Sequence, residues 1–198
     1  MKARLLPCYG VAVGFVLFAV ASSLYPGGTS LSPEAVGYSW SRNFISALFA
    51  PEALNGMPNP GRPFAVVALA FWCTSLAFSF KWISNQASHP ALRKIIEIAG
   101  IGAAVYAFFV ATPMHDLMVV IGLVFSLTAL VTTVLFLYSA KAWKLFGWGL
   151  LCPGLSVLSA SLYFAGSTFE FMPAIQKMNV LSVVFWILVT GYARIGDQ

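Results

Sequence analysis

The stretch ATPMHD, residues 111–116, places His115 beside Asp116 between two apolar blocks of the chain. An imidazole can accept or donate a proton near neutral pH, and a carboxylate can orient it or carry charge. Four further residues have the types to join them: Arg42, Asn43, Ser46 and Glu170. A guanidinium, an amide and a hydroxyl beside an imidazole suit recognition of an anionic group. Lys177, Gln176 and Asn179 fall at a similar depth in the last apolar block. Adjacent helical residues point about 100° apart, so His115 is expected to find its partner elsewhere and not in Asp116. Arg42, Asn43, Glu170 and Asn179 are the candidate partners, and a Ser46–His115 pair is geometrically conceivable.

Several chemistries have no support in the residues present. The two histidines, His89 and His115, cannot supply a bis-histidine haem or a three-histidine zinc site. Cys8, Cys73 and Cys152 have no paired spacing, which argues for packing residues and against a redox or metal centre. GxSxG, P-loop and HExxH patterns do not occur. No metal and no cofactor is expected, and no residue is assigned to catalysis.

The elements that must position these residues follow from composition. Sixty per cent of the 198 residues are hydrophobic and only 9% are charged, whereas a soluble domain carries about a quarter. The apolar residues come in blocks of the length a helix needs to cross a hydrocarbon layer of about 30 Å. The expected fold is all-α, a six-helix transmembrane bundle forming one integral membrane domain. Its spans are expected near 5–25, 63–84, 91–112, 113–140, 145–166 and 173–195. The start, MKAR followed by an apolar stretch and AVASS, imitates a cleavable signal peptide but is expected to be an uncleaved first helix.

The net charge of +5 reflects topology and not a nucleic-acid site. With the N-terminus inside, the cytoplasmic segments hold Lys2, Arg4, Lys81, Arg93, Lys94, Lys141, Lys144 and Arg194, and the outer ones hold Arg42, Arg62 and Lys177. That asymmetry places both termini in the cytoplasm. Glu97 is expected to pair with Arg93 or Lys94 on its own helix.

The long outer segment 26–62 is expected to contain an amphipathic interfacial helix. Ser32 and Pro33 suit its start, Pro51 its end, and Val36, Trp40, Phe44 and Leu48 recur every fourth residue. Thr112 and Pro113 read as the N-cap and first position of the fourth helix, with Asp116 in its first turn. Gly10 and Gly14 form a GxxxG pair that fits internal helix packing better than dimerisation, as do Gly100/Ala104 and Gly122/Ser126. Pro153 is expected to kink the fifth helix, with Ser156 or water satisfying the freed carbonyl.

The segments YPGG, GYSWSRNFISALF and NPGRPF, with TPMHDLMVVIGLVF later, resemble the DUF998 family of small six-helix membrane proteins and, more remotely, the Frag1/DRAM/Sfk1 group. In those families an N-x-x-S-D-L-G type stretch follows the first span and a histidine begins a later one. Asn43, Ser46 and Leu48 match the stretch and His115 the histidine, whereas Ala47 and Phe49 stand where the acid and glycine would be. The resemblance implies an outward-facing polar pocket in a bacterial cytoplasmic membrane, but no general activity. The expected function is therefore a small membrane protein whose pocket, lined by Arg42, Asn43, Ser46, His115, Asp116 and Glu170, binds a lipid headgroup or amphipathic small molecule. The alternative is a structural or assembly subunit of a larger membrane complex. Membrane lipids are the expected partners, with membrane-protein subunits or further copies of the chain next, and nucleic acid is not one.

Overall fold

The computed structural model describes residues 5–166 and 170–195. Among these residues there is no strand, and six long helices follow in order: α1 Leu6–Ser23, α2 Arg62–Gln86, α3 Pro90–Phe109, α4 His115–Ser139, α5 Trp143–Phe164 and α6 Met172–Tyr192. Four of them, α1, α2, α3 and α6, carry a proline in the first two positions, where its missing N–H costs no helical hydrogen bond. Five of them, all but α3, are long and apolar enough to cross a membrane, so the chain is an integral membrane protein. α3 carries Arg93, Lys94 and Glu97 within its first eight residues and is apolar beyond them.

Helices consecutive in the chain run antiparallel, and small residues set how closely they approach. A Cβ at Gly10 would collide with Ser75 of α2, and one at Gly14 with the Trp72 ring. The GxxxG pair is therefore spent on the α1–α2 contact inside the bundle, and the Trp72 indole donates to the Val11 carbonyl at 3.1 Å. Gly100 receives the Phe80 ring between α3 and α2, and Gly149 receives Trp186 between α5 and α6. Trp186, fully buried, donates to the Leu145 carbonyl at 2.9 Å, so its one polar atom is satisfied inside the apolar core.

Two expectations for polar residues in the bundle are corrected. Glu97 pairs with Lys81 of α2 at 2.5 Å, because the antiparallel α2–α3 contact brings that ammonium across, and Arg93 donates to Asn85 instead. Ser156 donates to Asn179 of α6 at 3.0 Å and not to a carbonyl near Pro153.

The α1–α2 connection, residues 24–61, forms a cap over one end of the bundle. The interfacial helix expected there does not form: only Ile45–Phe49 is helical, as a single 3-10 turn. Val36 is 96% exposed and Leu48 1%, so the four-residue spacing does not mark one face. Polar side chains take the place of helical hydrogen bonds. The Asn43 amide oxygen accepts from the Ser39 N–H at 2.9 Å, and its nitrogen donates to the Gly28 carbonyl at 2.7 Å. Gly28 sits at φ +85° against the Leu54–Asn55 backbone, a conformation and a clearance that exclude a side chain. Asn59 fixes the second half, donating to the Leu48 and Ala50 carbonyls and accepting from Gly61 N–H.

Candidate functional site

The fourth helix begins two residues later than its sequence signals indicate. Met114 is the N-cap, and the Thr112 hydroxyl donates back to the Phe109 carbonyl at 2.6 Å, so Thr112 closes the preceding turn and does not cap α4. His115 is thus the first helical residue and Asp116 lies in the first turn, where the helix dipole favours a carboxylate.

This late start explains a correction. His115 Nδ1 lies 2.9 Å from Asp116 Oδ1, so the two neighbours pair with each other. A long side chain within a helix is held back over the preceding turn. At the first helical residue there is no such turn, and the ring swings sideways to a carboxylate that is 83% exposed. The carboxylate acceptor selects the Nδ1–H tautomer and leaves Nε2 without a partner among the described residues. Tyr163 of α5 donates to the same Asp116 oxygen at 3.2 Å.

Arg42 and Glu170 form the second group, an ion pair of 2.7 Å joining the cap to the α5–α6 turn. Both side chains are more than a third exposed, so solvent screens most of its energy. Phe44, two residues along the cap from Arg42, meets the Tyr163 ring edge-on, with centroids 6.2 Å apart. Phe44, Tyr163, Asp116 and His115 thereby form a run of contacting side chains, a rim at the cap end, and Arg42 precedes Phe44 by two residues along the cap.

The other candidates are placed differently. Asn43 is fully buried and its side chain is consumed in shaping the cap. Ser46 is half-buried in the 3-10 turn, and His115 is bonded to Asp116 and not to it. Of the expected partners of His115, Arg42 pairs with Glu170, and Asn179 lies within the α5–α6 contact.

Beneath the rim lies an anchor not anticipated from the sequence. Lys177 of α6 is 8% exposed and donates to the main-chain carbonyls of Asn43 and, at 3.3 Å, Pro173. Its ammonium also stands 5.5 Å from the centroid of the Tyr38 ring, a cation–π contact that takes the place of a carboxylate. Gln176, one residue earlier, accepts from the Ile45 N–H at 3.1 Å. The Tyr38 hydroxyl donates to the Phe44 carbonyl at 3.0 Å. Burial pushes the Tyr38 phenol well above its ordinary range, and neighbouring Tyr25 adds to the effect. The available signal for this anchor was a lysine inside an apolar block, which is costly enough to require a built-in partner.

No cluster of three or more histidine, cysteine, aspartate or glutamate side chains suited to a metal occurs among the described residues. Arg42 is engaged with Glu170, and Asp116 orients the His115 ring with Nε2 left open; no nucleophile is bonded to His115 among the described residues. No protein-family model, curated protein or solved structure matches the chain.

Proposed function

We propose that the chain is a six-span membrane protein that binds the headgroup of a lipid or amphipathic small molecule at its cap-end rim. The observation that supports this is the run of contacts from Phe44 through Tyr163 and Asp116 to His115, with the Arg42–Glu170 pair carried on the same cap two residues from Phe44. The Arg42 guanidinium, shared with Glu170, and the open Nε2 of His115 would offer hydrogen bonds to a headgroup, and the Phe44 and Tyr163 rings would meet the start of its apolar part. The likeness to the DUF998 family enters the same proposal, with His115 in the shared role, and with it a bacterial cytoplasmic membrane as the location.

In this proposal α3 is the sixth span, its three charges lying in the interface at the end opposite the cap. Eight of the eleven Lys and Arg residues belong to segments at that end or to the termini, which makes it the cytoplasmic side. The cap then faces outward.

A photoreactive phosphatidylglycerol, irradiated with the purified protein in nanodiscs, tests the proposal. Cross-links are expected on peptides containing Arg42 and His115, and His115→Leu together with Arg42→Gln should remove them. Cross-links confined to other parts of the helices, unchanged in the double variant, would overturn it.

A further inference from the structure

Two apolar grooves flank α3, and they differ in the charge at the mouth. The groove between α2 and α3, about 490 Å³, has Lys81 at its border, and that ammonium is neutralised by Glu97. The groove between α3 and α4 is of nearly equal size, about 460 Å³. Ile95 and Ile98 of α3 and Val124, Phe125 and Thr128 of α4 line it, with Lys94 at the end remote from the cap. Its lining is closed to hydrogen bonding, since the Thr128 hydroxyl is already given to the Val124 carbonyl at 2.8 Å. Phe125 leans into the space left by Gly102 and stacks obliquely on Tyr106, forming part of the wall of the groove.

Lys94 is exposed and has neither a hydrogen bond nor an ion pair among the described residues. Its two cationic neighbours are both engaged, Arg93 with Asn85 and Lys81 with Glu97. Lys94 and Ile98 are four residues apart and so lie on one face of α3, the ammonium one turn above the apolar channel. An apolar channel ended by a free cation complements a molecule with an anionic head and a hydrocarbon tail.

We infer that the α3–α4 groove is a binding site for an anionic phospholipid, with one acyl chain lying along Ile95, Ile98 and Val124 and the phosphate on Lys94. The inference rests on the integral-membrane character of the chain and is independent of the cap-end proposal. The α2–α3 groove, its mouth already neutral, takes an acyl chain without regard to headgroup charge.

Native mass spectrometry of the detergent-solubilised protein, titrated separately with phosphatidylglycerol, phosphatidylcholine and glycerol phosphate, tests this. The wild type should retain phosphatidylglycerol in preference to phosphatidylcholine and should not retain glycerol phosphate, which has no chain for the groove. Lys94→Gln should reduce the preference about fivefold, the effect of one cation at the membrane surface. Lys94→Arg should keep it, which separates loss of charge from a folding defect. Lys144→Gln, a cation removed at the start of α5, should change nothing. Ile98→Trp, which fills the channel with Lys94 intact, should weaken phosphatidylglycerol binding. An unchanged preference in Lys94→Gln, an equal loss in Lys144→Gln, or retention of glycerol phosphate by the wild type would each overturn the assignment.

Discussion

The ammonium of Lys177 donates to the main-chain carbonyl of Asn43, 134 residues earlier in the chain, and so ties the sixth helix to the cap. The same Asn43 uses its side chain to hold Ser39 and Gly28. One residue pair therefore links the internal shape of the cap to its attachment on the bundle. The rim above it, from Arg42 to His115, depends on that attachment, because Arg42 and Phe44 flank Asn43 on either side.

Removing the anchor should loosen the cap more than removing the visible ion pair. Lys177→Met takes the ammonium from the Asn43 and Pro173 carbonyls, leaving that of Asn43 only the 3.3 Å bond from the Tyr38 hydroxyl, at a cost of about 1–3 kcal/mol. Arg42→Gln removes an exposed pair, with a cost below about 1 kcal/mol. Thermal unfolding in detergent ranks the two, and hydrogen exchange over residues 37–45 should rise in Lys177→Met. A larger loss from Arg42→Gln would contradict the assignment of Lys177 as the anchor.

The helices were legible in the sequence and the cap was not. Blocks of apolar residues match the observed helices to within a few residues, since a bilayer dictates length whatever the side chains do in detail. In the cap, Val36, Trp40, Phe44 and Leu48 have helical spacing, but Gly37 at φ +71° breaks the helix that spacing requires. Asn43 then replaces helical hydrogen bonds with its own, and Trp40 is left 53% exposed. In the site, Asp116 in a first turn was legible from helix chemistry. The Phe44–Tyr163 and Lys177–Asn43 contacts were not, because nothing local records which distant segments meet. The His115–Asp116 pair was misjudged because the 100° rule holds within a helix and weakens at its first residue.

Alkaline pH should release the cap through Tyr38. Burial raises its phenol in the folded state, so the neutral form is the one the fold favours. The associated stability is complete below the unfolded value of about 10 and is lost as pH climbs from there toward the folded value. Denaturation midpoints should fall as pH rises from about 9.5 toward about 11 in the wild type, with part of that fall attributable to tyrosine ionisation. Tyr38→Phe lacks the hydroxyl bond to Phe44, so it should start lower at the milder pH and fall less steeply. An identical fall in both proteins would show that Tyr38 does not titrate with unfolding.

The proposed orientation can be read from two single cysteines. Ser30 in the cap and Ser139 at the end of α4 are both exposed. With Cys8, Cys73 and Cys152 replaced by alanine, an impermeant maleimide applied to intact cells should label Ser30→Cys and spare Ser139→Cys. Equal labelling of the two would contradict six spans with the cap outside.

The rim itself is tested most directly by an electron cryo-microscopy map of the protein extracted with its native lipids. The proposed function predicts non-protein density touching both Arg42 and His115, with its elongated part beside Phe44 and Tyr163, and the loss of that density in His115→Leu. A rim that is bare in the wild type, in a map that resolves lipid elsewhere on the helices, would contradict headgroup binding at the cap.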